Sequence, residues 1–180
     1  MLALYAAASI KDGKLSHDDA SIHLCTTHRH IRYQAELSSF MLPHFGIFTI
    51  ISAGKSRSSY AFEIEALLFH LRFYADYWQR RHGGAFSVTF NRRVGYKDSE
   101  GFFIRVVDAV KEQFTDMEIT INEKENGSVY YQGLQATLTA TVGGESIEIG
   151  DLGFVDWTQQ LLNQKSERLL ISAMALDRQL

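Results

Sequence analysis

The sequence has almost no cysteine and almost no proline. Cys25 is the single cysteine in 180 residues, so no intrachain disulfide can form, and that usage fits a reducing, cytoplasmic compartment. Pro43 is the single proline and glycine numbers 13, which excludes proline-rich and collagen-like chains. No apolar run approaches the roughly 18 residues of a membrane helix, so no membrane association is expected. Positive charge is not in excess: Lys+Arg is 18 against Asp+Glu 21, a net charge of −3. Strong nucleic-acid binding is therefore not expected. The apolar start, residues 2–9, has no basic stretch before it and is short for a secretion signal; it reads as a helix remnant.

What is present is ordinary for a globular protein. Apolar residues make up 46% and charged residues 22%, and the length suits one domain, 1–180, with one core. A polar loop follows the first helix. Residues 22–33 alternate and read as one or two strands. Residues 45–51 are β-branched and aromatic and read as a strand between Pro43 and Gly54. Ser58 or Ser59 is expected to cap the helix over 61–81, whose Phe62, Leu67, Leu68, Leu71, Phe73, Tyr74 and Trp78 recur at helical spacing. That helix ends in Arg80-Arg81-His82-Gly83, a cationic last turn followed by glycine. A strand over 86–90, an amphipathic helix over 100–114 and a strand over 117–121 follow. Residues 130–142 form a long strand, paired through Gly143-Gly144 with 146–149. A helix over 155–162, a strand over 168–172 and a final helical turn complete the chain. The expected fold is α+β, an antiparallel sheet flanked by helices.

Single constellations carry little chemistry. Gly54-Lys55-Ser56 resembles the end of a phosphate loop, but Thr49 stands where the first glycine is needed, so it reads as a turn. His28 and His30 share a strand face near Cys25 and His23, but no second ligand pair follows, and no metal site is assigned. Glu63 and Glu65 open the long helix, where negative charge suits the helix N-terminus.

The order of several weak motifs is more informative. Ile31-Arg32-Tyr33-Gln34, a loop, and then Pro43-His44-Phe45-Gly46-Ile47-Phe48 resemble motif 2 of class II aminoacyl-tRNA synthetases, above all the histidyl type. Tyr130-Tyr131-Gln132-Gly133 is similar to that family's Tyr-Tyr-Thr-Gly element, and Gly153-Phe154-Val155-Asp156 to its Gly-Arg-Tyr-Asp. Ala173-Met174-Ala175-Leu176-Asp177-Arg178 resembles motif 3. The resemblance implies a truncated class II core running from motif 2 to motif 3, without motif 1 and without an anticodon-binding domain. In that family a carboxylate attacks the α-phosphate of ATP, with Mg as the accompanying ion. Arg32 would then face the α-phosphate and Arg178 the γ-phosphate, guanidinium groups being permanently charged and bidentate.

The departures weigh against that chemistry and leave no catalytic residue assigned. Gln34 and Phe48 replace acidic residues, and Asn126-Gly127-Ser128-Val129 replaces Arg-Gly-Leu-Asp. Phe154 stands in place of Arg, and Ile171 and Ala175 in place of motif 3 glycines. The resemblance therefore implies a degenerate paralogue acting as a regulatory or ligand-binding subunit, as the regulatory subunit of ATP phosphoribosyltransferase does. Its ligand would be an amino acid or nucleotide held by Tyr130, Tyr131, Gln132 and His44, with Arg32, Gln34, Asp156 and Arg178 as further candidates. A homodimer or protein partner would cover the exposed sheet edges. The alternatives are an ATP-dependent amino-acid ligase and a structural interaction domain.

Overall fold

The computed structural model describes residues 1–18, 20–31, 33, 43–126, 130–142 and 144–176. Its elements are α1 (Leu2–Lys11), β1 (Ile22–Ile31), β2 (His44–Lys55), α2 (Ala61–His82), β3 (Ser87–Arg93), α3 (Ser99–Gln113), β4 (Ile119–Asn126), β5 (Gln132–Val142), β6 (Glu145–Val155), α4 (Trp157–Leu162) and β7 (Glu167–Ala175). The strands form one sheet in the order β1-β2-β7-β6-β5-β3-β4. The expected antiparallel sheet is present with one exception. β3 and β4 run parallel at one edge, because α3 crosses between them and returns the chain in the same direction.

Alternation along the strands gives the sheet two apolar faces. On one face α2 and α3 lie over Ile50, Val88, Phe90, Leu134, Ala136, Leu138, Leu152, Phe154, Leu170 and Met174. α2 contributes Phe62, Ala66, Leu67, Leu71, Tyr74 and Trp78 to this core, at the spacing its sequence displays. It ends at Gly83, whose φ of +69° suits glycine and whose N–H reaches the Gln79 carbonyl. On the other face Ala3 and Ala6 of α1 pack on Ile22, Ile51, Ala53, Val155, Leu169 and Ile171. No helix among the described residues is long and apolar enough to cross a membrane.

Several local expectations are corrected. Neither Ser58 nor Ser59 caps α2; the N-cap is Tyr60, with no side-chain cap bond. Ser59 and Tyr60 both have positive φ, and the Tyr60 ring packs edge-on to Phe102 at 5.1 Å. Tertiary packing thus selects a backbone that local propensity disfavours. Gly54 and Lys55 do not turn but continue β2, where Gly54 lies under the Phe62 ring. Met174 and Ala175 do not begin a helix; they end β7, paired with Phe48 and Ile47. Val155 belongs to β6 rather than to α4. Glu63 is fully buried, accepting from Arg168 Nε at 2.9 Å and Tyr96 Oη at 3.1 Å, so it is a cross-element anchor and not merely a helix-end charge.

A polar relay crosses the α2 face. His23 Nδ1 lies 2.7 Å from Ser52 Oγ, which lies 2.8 Å from His70 Nε2. His70 Nδ1 lies 2.8 Å from Ser172 Oγ, itself 2.7 Å from Tyr74 Oη. Burial and, secondarily, the neighbouring His23 push the His70 imidazole down to about 3. The unfolded chain, with an ordinary imidazole near 6.5, takes up a proton that the folded chain refuses. The contribution of neutral His70 is full above pH 6.5 and is lost as pH falls toward 3, at about 1.4 kcal/mol per pH unit. Urea denaturation at pH 7, 5.5 and 4.5 should show this slope in the wild type and a shallower one in His70→Gln.

Gly150 supplies a second test. A Cβ there would stand 2.4 Å from the Ala173 carbonyl oxygen and 3.1 Å from Met174 Cα. Gly150→Ala should cost about 2–3 kcal/mol. Gly84→Ala, with open space around it, should change stability by about 0.5 kcal/mol or less. The urea midpoints of the two variants decide.

Candidate functional site

Residues opposite one another in register share a face. Under α1 the first row is Ile22, Ala53, Leu169 and Val155. Two residues further along comes Leu24, Ile51, Ile171, Gly153, Gln135 and Asn91. The next row is Thr26, Thr49, Ala173, Asp151, Thr137, Thr89 and Thr120, crossing all seven strands. Its members are half-buried or exposed, so the face opens here from an apolar floor into a polar one.

Asp151 is the one charged residue of that row. Tyr131 Oη donates to its Oδ2 at 2.7 Å. Burial raises the Asp151 carboxyl above its ordinary range, and hydrogen bonds from Tyr131 and Gln135 partly offset this. Gln135 in turn accepts from Arg93 Nη2. The Arg93 Nε is buried and has no hydrogen-bond partner among the described residues. A carboxylate and a guanidinium are thus linked through one carboxamide. The Tyr131 ring lies over Gly153, where a Cβ would come within 2.4 Å of it. Burial, and next the Asp151 charge, keep its phenol protonated and a donor. Tyr130, half exposed, packs edge-on against Tyr131 at 4.6 Å and Trp157 at 5.6 Å.

Among the residues singled out from the sequence, Tyr130 and Tyr131 stand in this site. Gln132 opens β5 beside them, opposite Phe154. Asp156 is half-buried at the start of α4, and its side chain makes no cap bond. His44 is exposed at the start of β2. It lies five residues, about 16 Å along the strand, from Thr49, which is level with Asp151. The structure therefore brings the tyrosines together and leaves His44 apart. Arg32, Gln34 and Arg178 lie outside the described residues. Asp151, Gln135 and Arg93 were missed; the available signal was a carboxylate inside the apolar alternation of residues 147–155.

The remaining sequence candidates are placed as follows. His28 and His30 are neighbours, ring centroids 4.5 Å apart. Among the described residues no three His, Cys, Asp or Glu side chains are grouped to hold a metal. Lys55 is bound to Asp18. Ile171, at a position where the resemblance expects a motif 3 glycine, packs in one cluster with Ala3, Ala6 and Tyr131.

No protein-family model and no curated protein matches the sequence. Solved structures do match. Apo S. aureus histidyl-tRNA synthetase superposes with a TM-score of 0.66 at 15% identity, over 95% of this chain and 46% of that one. A threonyl-tRNA synthetase from Aeropyrum pernix gives 0.67 at 13% identity, over 96% and 42%. The RNA binding domain of threonyl-tRNA synthetase from Cryptosporidium parvum Iowa II gives 0.66 at 11%, over 95% and 44%. The fold is that of a class II aminoacyl-tRNA synthetase core. The chain spans less than half the length of each of these structures.

Within this synthetase-like core the Tyr131–Asp151 bond has a measurable consequence. The hydroxyl favours the charged carboxylate, so Tyr131→Phe should raise the Asp151 pKa further. Carboxyl 13C NMR titration of the two proteins checks the sign, and the lost bond should cost about 1 kcal/mol.

Proposed function

We propose that this synthetase-like core is a non-catalytic subunit that binds a small amino acid on its open sheet face. The observation that carries the reading is the Asp151–Gln135–Arg93 arrangement. A desolvated carboxylate is stabilised by an arriving ammonium group, and a guanidinium with an unpartnered N–H suits a carboxylate. An α-amino acid carries both charges at a short separation, whereas a nucleotide would need the space that Ile171 fills. The sequence departures at Gln34, Phe48, Asn126–Val129 and Phe154 support binding without activation. We include a homodimer in the proposal, because β1 is a ten-residue strand at the end of the sheet and exposed edges invite pairing.

Isothermal titration against histidine and the other amino acids should give saturable binding to at least one, and Asp151→Asn should weaken it at least tenfold. No heat with any amino acid would sink the reading. Robust ATP–pyrophosphate exchange, abolished by Arg32→Ala, would replace it with a ligase. Light scattering should give twice the 20.4 kDa chain mass, and a strictly monomeric mass would remove the dimer.

A further inference from the structure

His28 and His30 stand near the end of β1, the outer strand of the sheet. Being two residues apart on one strand, they point to the same face. That face is the open one, since Thr26, two residues before His28, belongs to the row that carries Asp151. The pair lies three strands away from Asp151, about 14 Å across the sheet, so the two places are separate. Both imidazoles are exposed, and their ring centroids are 4.5 Å apart. Two imidazoles bonded to one tetrahedral ion at about 2.0–2.1 Å hold their ring centres roughly 5 Å apart. The strand therefore sets two nitrogen ligands near the spacing that one ion needs.

The backing of the pair is apolar. His30 stacks on Phe45 at 5.9 Å, and His28 stands opposite Ile47, itself opposite Ala175. Among the described residues no third His, Cys, Asp or Glu side chain joins them. Two imidazoles fill half of a tetrahedral shell, so one chain offers half a site. The outer edge of β1 supplies the other half by symmetry. Antiparallel pairing of two β1 strands about a twofold axis keeps the same face of both sheets on one side. With the axis at Arg29, His28 lies opposite the partner subunit's His30, and His30 opposite the partner subunit's His28. Cross-strand neighbours stand about 4.5–5.5 Å apart, so four imidazoles surround one point. Arg29 lies on the other face and meets the partner's Arg29 there. That like-charge pairing weakens the metal-free contact in this register and makes it depend on the ion.

We propose that His28 and His30 of two chains together bind one zinc ion at a β1–β1 interface. Imidazole suits zinc and its transition-metal neighbours rather than magnesium, and four imidazoles match zinc's tetrahedral preference. The site rests on the homodimer reading given above and adds what fastens its edge.

The test adds zinc chloride alone to the full chain freed of metal with EDTA, with magnesium chloride as control. Titration calorimetry should give one zinc per two chains and no heat with magnesium. Light scattering along a dilution series should show the dimer persisting to at least tenfold lower concentration in zinc than in EDTA. His28→Gln and His30→Gln change exposed side chains and should leave the fold intact. Each should weaken zinc uptake at least tenfold and remove the effect on mass, while His82→Gln should change neither. A dimer that forms in EDTA and is not tightened by zinc keeps the edge pairing and overturns the zinc site. A chain monomeric in EDTA and dimeric in zinc supports the site and removes the metal-free dimer. The site is also overturned by one zinc per chain, by no uptake, by a mass that zinc leaves monomeric, by an equal response to magnesium, or by uptake that survives His28→Gln.

Discussion

Register between β2, β7 and β6 is the constraint on which both faces of the molecule depend. β7 is central, and its successive residues divide between two cores: Leu170, Ser172 and Met174 toward α2, and Leu169 and Ile171 toward α1. A slip of one residue would exchange the two sets and place Ser172 in an apolar layer. Glycine makes this pairing possible at two places. Gly150 lets β6 approach the Ala173 carbonyl, and Gly153 lets the Tyr131 ring come close against the β6 backbone. The second of these also positions the phenol over Asp151, so the same close packing that holds the register builds the candidate site.

The parts legible in the sequence are those decided by local pattern. α2 and α3 show their buried faces through spacing, and the β5–β6 hairpin shows through Gly143-Gly144 and the alternation on either side. The order of motif-like segments pointed to the fold even though each segment departs from the family form. The parallel β3–β4 pair was not legible, because direction is set by how α3 lies across the sheet and not by either strand. The left-handed Ser59–Tyr60 step was hidden for a similar reason. A serine pair before a helix reads as a cap, and only the packing of Tyr60 on Phe102 reverses that.

Buried polar groups were the least legible, for a physical reason. Glu63 meets Arg168 across 105 residues, His17 meets Glu167 across 150, and His70 meets Ser172 across 102. No local pattern reports a partner so distant, and each of these side chains has a plausible solvent-facing reading when viewed alone. Burial reverses those readings, since an ionisable group removed from water must be paired or neutral. His70 takes the second course and Glu63 the first. Asp151 belongs to the same class, with the difference that its row opens to solvent, and that exposure is why it reads as a binding group rather than as an anchor.

The fold alone decides little about activity, since one architecture hosts many chemistries. A synthetase-type reaction needs fixed positive charge where phosphate charge develops and a bare backbone for the nucleotide to lie against. Among the described residues β7 carries Ile171 under α1, and a carboxylate, a carboxamide and a guanidinium stand in series beside the threonines of the open face. In the proposed reading that series is matched in charge to a zwitterion. The proposed recognition of an amino acid therefore rests on residues of β3, β5 and β6 rather than on the positions that resemble the synthetase motifs.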